Sequence, residues 1–386
     1  MRSSAASDVY KRQIYTQNSD RQVQSIAYST DNGRTFTKYE NNPVLVSEAR
    51  DFRDPKVFWY EGTQRWIMVL AVGQEMQIFS SPDLKDWTFE SSFGEGYGAH
   101  GNVWECPDLF ELPVEGTGEK KWVLLCSLGD GPFGDSATQY FVGSFDGKKF
   151  ICDNQPNVTK WMDWGKDHYA TVTWSDAPDN RRIAIAWMSN WQYANDVPTS
   201  QYRSPNSVPR DLSLFAVGDG IYLQSAPSPE LLKLRDISKK RSFRVNGTRT
   251  VKELVPGNEG AYEIELAIRN QHADVIGFRL YNDKGEEVDM QYDMKEKKFS
   301  MDRRKSGDVG FNENFPMLTW TAIEDGKEEL KLRLYVDKSS VEAFGDGGRF
   351  AMTNQVFPSE PYNHIDFYSK GGAYKVDSFV TYKLKK

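Results

Sequence analysis

Two short segments hold the residues best suited to chemistry. Residues 101–110 read Gly-Asn-Val-Trp-Glu-Cys-Pro-Asp-Leu-Phe, and residues 52–59 read Phe-Arg-Asp-Pro-Lys-Val-Phe-Trp. Breaking a glycosidic bond usually needs two carboxyl groups, one to protonate the leaving oxygen and one to meet the charge at the anomeric carbon. A general acid must hold its proton near neutral pH, which burial or a neighbouring negative charge achieves. Glu105, between Trp104 and Cys106-Pro107, lies in a suitably apolar strand pattern. Asp54 follows Arg53 and precedes Pro55, whose ring restricts the backbone and holds the carboxylate in one place. Arg53 supplies a compensating positive charge, and an ionised Asp54 can accept hydrogen bonds from sugar hydroxyls. Spacing alone leaves plainer readings open: a solvent-facing strand glutamate, and an Arg-Asp-Pro turn with a surface ion pair.

The elements that must position these residues read as β-structure. The chain of 386 residues is too long for one ordinary core, so two domains are expected. The 22 Phe, 19 Tyr and 11 Trp, frequent Asn-Gly and Asp-Gly turns and scarce helical periodicity favour an all-β protein. Most of those aromatics are expected in the core. A loose repeat runs through the first half. Ser29-Thr30-Asp31-Asn32-Gly33, Ser81-Pro82-Asp83-Leu84-Lys85 and Ser144-Phe145-Asp146-Gly147-Lys148 each follow a strand-like run and precede an aromatic residue. A period of about 50 residues made of short strands marks propeller blades. Three to four blades are expected before residue 225. Residues 1–13 lack strand alternation and an apolar stretch, and read as a disordered or non-native tail. Pro227 and Pro229 mark a linker over 226–236, with a short helical turn within 230–235. From 237 to 386, alternating strands with turns at Asn282-Asp283-Lys284-Gly285 and Gly345-Asp346-Gly347-Gly348 read as a β-sandwich.

Composition narrows the function. A net charge of −7 without a basic stripe argues against nucleic acid as partner, and no apolar run is long enough to span a membrane. Cys106, Cys126 and Cys152 are odd in number and lack metal-ligand spacing, and four His leave little material for a His-based site. Aromatic faces in an acidic protein suit a neutral polyhydroxyl ligand. Residues 129–134 are glycine-rich but lack the following helix and Lys-Ser/Thr of a phosphate loop, so they are expected at the pocket mouth. The loops 94–102 and 191–205 are expected to shape its rim. His100 and His168 are read as loop-closing residues. Trp320 and Tyr335 are expected in the sandwich core or at its interface with the propeller.

The two motifs together, in this order, resemble glycoside hydrolase family 32, the invertase, inulinase and levanase group. Phe52-Arg53-Asp54-Pro55-Lys56 resembles its Arg-Asp-Pro motif, and Trp104-Glu105-Cys106-Pro107-Asp108 its Glu-Cys motif. Residues 161–169, with Asp163, Gly165, Asp167 and Tyr169, are similar to its Asp-x-Gly-x-Asp-x-Tyr segment. Trp187-Met188-Ser189-Asn190-Trp191 resembles the segment that walls the fructose pocket, and Ser339-Ser340-Val341-Glu342-Ala343-Phe344 its sandwich signature. The resemblance implies a five-bladed β-propeller followed by a C-terminal β-sandwich. It implies Glu105 as general acid/base and Asp54 as transition-state stabiliser, with Arg53, Trp191, Trp187 and Cys106 lining the substrate site. It implies a fructan or sucrose substrate, no metal or organic cofactor, and secretion, a periplasmic or a cell-surface location.

One departure matters. The family nucleophile is an aspartate in an Asn-Asp-Pro-Asn-Gly motif, and no such motif occurs here. Asp8, Asp20, Asp31 and Asp51 precede Asp54 without that context. The resemblance therefore implies a chain lacking the first blade and part of the second, and close to inactive as written. Two rivals stand beside it: a sialidase-like hydrolase, from the Asp31 turn, and a non-catalytic carbohydrate-binding propeller.

Overall fold

The computed structural model describes residues 11–255, 257, 259–323 and 329–385. Residues 11–227 form four antiparallel sheets in succession. The first holds Lys11–Asn18, Gln22–Ser29 and Thr37–Lys38. The second holds Phe52–Tyr60, Arg65–Val72, Glu75–Ser81 and Thr88–Phe93. The third runs Trp104–Pro113, Lys120–Leu128, Ala137–Phe145 and Phe150–Cys152, and Lys160–Trp161 also pairs with its third strand. The fourth is Tyr169–Trp174, Arg182–Trp187, Arg210–Val217 and Gly220–Pro227.

These strands read as near-continuous apolar runs because the sheets bury both faces, as blades stacked around an axis must. In Arg65–Val72, Met68, Leu70 and Val72 pack toward the first sheet with Ile14 and Leu45. Ile67, Val69 and Ala71 pack the other way, against Leu109, Leu124 and Cys126 of the third sheet. Lys120–Leu128 repeats the arrangement, with Val123 and Leu125 facing Leu212, Leu214 and Leu223 of the fourth. Truncating Leu124 or Leu125 to Ala costs about 2–5 kcal/mol by the usual cavity penalty.

The repeated turns have one construction. Asp31 accepts the backbone N–H groups of Arg34 and Thr35, Asp83 those of Lys85 and Asp86, and Asp146 those of Lys148 and Lys149. Hydrogen bonds to the charged form hold all three carboxyls below their usual range; burial works against this at Asp83 without prevailing.

Two expectations need correction. Residues 11–13, read as tail, belong to Lys11–Asn18 and pair with Gln22–Ser29; residues 1–10 lie outside the described residues. The linker expected over 226–236 is shorter, and the helical turn expected within it is present. The last propeller strand reaches Pro227, a 3-10 turn spans Pro229–Leu234, and a new strand begins at Arg235. Pro229 suits the first position of that turn, where its missing N–H costs nothing.

The rest is a sandwich of two six-stranded sheets. One runs, in spatial order, Arg235–Val245, Tyr374–Leu384, Tyr262–Asn270, Glu329–Asp337, Ser340–Gly345 and Phe350–Gln355. The other runs Thr248–Val251, His364–Lys370, Val275–Tyr281, Glu287–Asp293, Lys298–Lys305 and Leu318–Ala322. Their inner faces share one core around Phe278, Met290, Leu334 and Phe367. The hairpins anticipated at 282–285 and 345–348 join neighbouring strands.

Residues 161–169 form a strap between the two halves. Asp163 accepts from Arg210, and Arg210 also reaches Glu342 of the sandwich, with all three side chains buried. Asp167 takes Arg303 of the sandwich and the Tyr193 hydroxyl. Gly165 passes so close to the sandwich that a Cβ would lie 1.9 Å from the Thr353 carbonyl oxygen, so only glycine fits.

Candidate active site

The second, third and fourth sheets each begin their first strand with a β-bulge at the same place. The register slips between Arg53 and Lys56, between Glu105 and Asp108, and between Tyr169 and Val172. The residue after the first of each pair has positive φ: Asp54 at 61°, Cys106 at 49° and Ala170 at 51°. Non-glycine residues hold such angles where the surrounding structure over-determines them, and bulges re-aim side chains. Here the bulges bring Arg53, Glu105 and Tyr169 together across three blades.

Arg53 Nη2 donates to Glu105 Oε1 at 2.8 Å, and the Tyr169 hydroxyl donates to Glu105 Oε2. Arg53 Nη1 also donates to Asp51 Oδ1 at 2.6 Å, so one guanidinium bridges two carboxylates. Burial pulls the guanidinium down, and the bonds to Asp51 and Glu105 outweigh it, so Arg53 stays charged. Burial first, then the hydrogen bond to Glu105 and its charge, pushes the Tyr169 phenol far up, so it remains a donor. Asp54 Oδ2 accepts the Cys106 backbone N–H at 3.0 Å, and the Asp54 N–H donates to Thr16 Oγ1 at 3.1 Å. Below them, Lys56 Nζ reaches Asp108 at 2.8 Å, and Thr173 Oγ1 donates to the same Asp108 oxygen at 2.6 Å. Those buried contacts tie the three inner strands beneath the site.

The aromatic wall adjoins Tyr169. Its ring meets Trp187 edge-on at 6.2 Å, and Trp187 lies 4.7 Å from Trp191. Trp191 is 56% exposed, unusual for so large an apolar ring and suited to stacking on a ligand. A polar brace holds it. The Trp191 N–H donates to Ser136 Oγ, Asn190 Nδ2 to the Gly134 carbonyl, and Lys166 Nζ to the Phe133 carbonyl and Gln192 Oε1. Lys166 is buried, and burial first, then Arg303, lowers it to about 8. The loop 129–134 thus stands beside the aromatic wall.

All six residues singled out from sequence fall in one connected set of contacts: Arg53, Asp54, Glu105 and Cys106 directly, and Trp187 and Trp191 through Tyr169. Sequence reasoning gave Tyr169 no role of its own and missed Asp51, Thr16, Lys166 and Ser136. Tyr169 was findable, since it stands 64 residues after Glu105 as Glu105 stands 52 after Arg53. Asp51 and Thr16 carry no such signal. His168 is buried, and His100 stacks on Trp104 at 5.0 Å, as loop-closing residues do.

A propeller whose blade bulges gather carboxylates beside the exposed Trp191, braced by a β-sandwich, has the architecture of a glycoside hydrolase. The chain belongs to glycosyl hydrolase family 32: residues 5–227 match that family's N-terminal domain and residues 230–383 its C-terminal domain. It is 45% identical over 382 residues to a levanase from Bacillus subtilis, covering 97% of this chain and 56% of the levanase. It is 36% identical over 381 residues to an extracellular exo-inulinase from Aspergillus awamori, covering 92% of this chain and 70% of that protein. A fructofuranosidase from Schwanniomyces occidentalis, solved in complex with fructosylnystose, superposes with a TM-score of 0.86 at 32% identity, covering 97% of this chain and 78% of that one. The chain thus spans little more than half the length of the Bacillus levanase. Family membership replaces the sialidase-like reading, and the Asp31 turn is a structural device.

Proposed function

We propose that this chain carries the acid/base side of a retaining β-fructofuranosidase site acting on fructans or sucrose. The observation that supports it most is the row Arg53–Glu105–Tyr169 beside Asp54, with every polar contact to Glu105 coming from a donor. Glu105 protonates the leaving oxygen and then activates water against the covalent intermediate. Asp54 holds ring hydroxyls and offsets the oxocarbenium-like charge. Trp191 and Trp187 stack on the sugar, Arg53 orients Glu105, and Cys106 positions Asp54 through its N–H. The names of the relatives favour levan or inulin as substrates, and the extracellular exo-inulinase favours secretion. The domain limits that fit this reading are 11–227 for the propeller and 235–385 for the sandwich.

The nucleophile is the open role, since no aspartate stands in the Asn-Asp-Pro-Asn-Gly context. That observation favours a second reading, a fructan-binding propeller without turnover. The test is fructose release from levan, inulin and sucrose by the chain, by Glu105→Gln and by Asp51→Asn. We expect release near the blank from all three proteins, because removing one member of a catalytic set costs orders of magnitude. Release that Glu105→Gln abolishes would confirm the acid/base, and its loss in Asp51→Asn would make Asp51 the nucleophile. Release that Glu105→Gln leaves untouched would sink the assignment.

A further inference from the structure

The outer face of the second sandwich sheet carries a polar groove of about 850 Å³, lined by Arg279, Asp289, Gln291, Asp302, Arg304 and Tyr368 among others. Register places Thr248, Tyr368, Gly277, Gln291, Ser300 and Trp320 in one row across all six strands. Directly paired residues share a face, and six strands at about 4.8 Å spacing make a track of roughly 24 Å. Gly277 is where the row needs no side chain. A Cβ there would lie 2.1 Å from Tyr368 Cζ, so glycine lets the tyrosine ring lie over the sheet as a platform. At the other end Trp320 is 40% exposed, and it meets Phe133 of the propeller edge-on at 6.4 Å. Phe133 belongs to the loop that accepts from Lys166, next to the brace of Trp191.

Most charges in this groove are paired to one another, Lys305 with Glu287 among them, and Lys370 lines it as well. Arg279 binds Glu287 and Asp366, Arg304 binds Asp302, and Asp289 accepts from the Tyr368 hydroxyl and from Gln291 Nε2. A track of mostly paired charges with aromatics at its two ends offers an ion little beyond Lys370. It suits a neutral ligand rich in hydroxyls and C–H faces. We propose that this face is a non-catalytic binding surface for a neutral oligosaccharide of the substrate's own class, running from Tyr368 to Trp320 and leading toward the aromatic wall. The chemical class rests on the fructan reading above; the surface rests on the row and the groove.

Affinity electrophoresis through gels containing levan, inulin or dextran tests it on the purified chain. Trp191→Ala should leave a residual retardation by levan or inulin. Adding Trp320→Ala or Gln291→Ala should weaken that residue at least about threefold, as expected for losing one stacking or hydrogen-bonding partner. Tyr368→Phe, which keeps the platform, should weaken it less than Trp320→Ala. Unchanged thermal midpoints keep these comparisons meaningful, and the exposure of Trp320 makes its replacement safe for the core. Retardation abolished by Trp191→Ala alone and indifferent to the groove variants would overturn the surface while leaving the carboxylate site standing. Lack of retardation by either fructan, or equal retardation by dextran, would also overturn it; fructose release judges the carboxylate site separately.

Discussion

The backbone N–H of Cys106 donates to Oδ2 of Asp54 over 3.0 Å, so the bulge that aims Glu105 also fixes the neighbouring blade's carboxylate. The contact depends on Cys106 holding φ at 49°. The side chain is secondary, with Sγ 3.7 Å from the same oxygen. What substitution must preserve at 106 is therefore the backbone angle.

The Cys106 thiol follows from that contact. Burial first, then the Asp54 charge, pushes it far above the usual thiol range, and burial does the same to Cys126. A thiol kept protonated is a poor nucleophile. Iodoacetamide should leave both unmodified in the folded chain at about pH 8 and label all three cysteines in denaturant. Rapid native labelling of Cys106, read by peptide mass, would mean that the Asp54 contact is open in solution.

Much of this site was legible because short motifs bring their own geometry. Arg53-Asp54-Pro55 and Glu105-Cys106-Pro107 each place a charged residue before a bulge, and the bulge does the aiming. The turn aspartates Asp31, Asp83 and Asp146 were legible because an Asx turn is a local device. What stayed hidden is non-local. Arg210 and Arg303 read as ordinary strand arginines, since their partners Asp163, Glu342 and Asp167 lie 47, 132 and 136 residues away. Trp320 shows the same limit. Its place beside Phe133 fits the interface expected of it, but its exposure could not be read from a strand pattern.

Trp191 should be replaceable without cost to the fold, because more than half of it is exposed. The pocket role proposed for it predicts a loss of stacking of about 1 kcal/mol, or roughly five- to tenfold in affinity. Fructose should change the intrinsic fluorescence of the parent chain, and Trp191→Ala should raise the half-saturating concentration by about that factor. An unaltered titration curve would remove Trp191 from the pocket wall.

Arg303 and Asp167 form a fully buried pair, and each is hydrogen-bonded to Tyr193. Removing one partner strands a buried charge, which typically costs about 3–5 kcal/mol. Arg303→Met should lower the urea midpoint accordingly, whereas Arg304→Met, on an exposed arginine of the same strand, should shift it by less than about 0.5 kcal/mol. Because Asp167 lies two residues before Tyr169, Arg303→Met should also weaken fructose-induced fluorescence at the distant wall. Equal midpoints for the two variants would show that the strap bears no load.

His168 gives the chain a specific acid sensitivity. Burial first, then the Arg210 guanidinium, lowers its imidazole to about 3 from the ordinary 6.5. The folded chain therefore keeps it neutral while the unfolded chain gains a proton as pH falls through 6.5. Stability should drop from about pH 6.5 down to about pH 3, with a slope of up to about 1.4 kcal/mol per pH unit from this residue. Asp163 is also held below its usual value, against burial and chiefly by Arg210, so it adds its own loss only when pH falls below the ordinary carboxylate range. Above that range burial holds Glu342 above its usual value, which moves stability the opposite way as pH falls, so the comparison with a His168 variant is what isolates the histidine. Urea midpoints measured between about pH 7 and pH 4 should fall more steeply for the parent than for His168→Gln, whose side chain takes up no proton in either state. Parallel profiles would mean that His168 binds its proton in the folded chain, and that Arg210 and Asp163 are arranged around it differently from the contacts described.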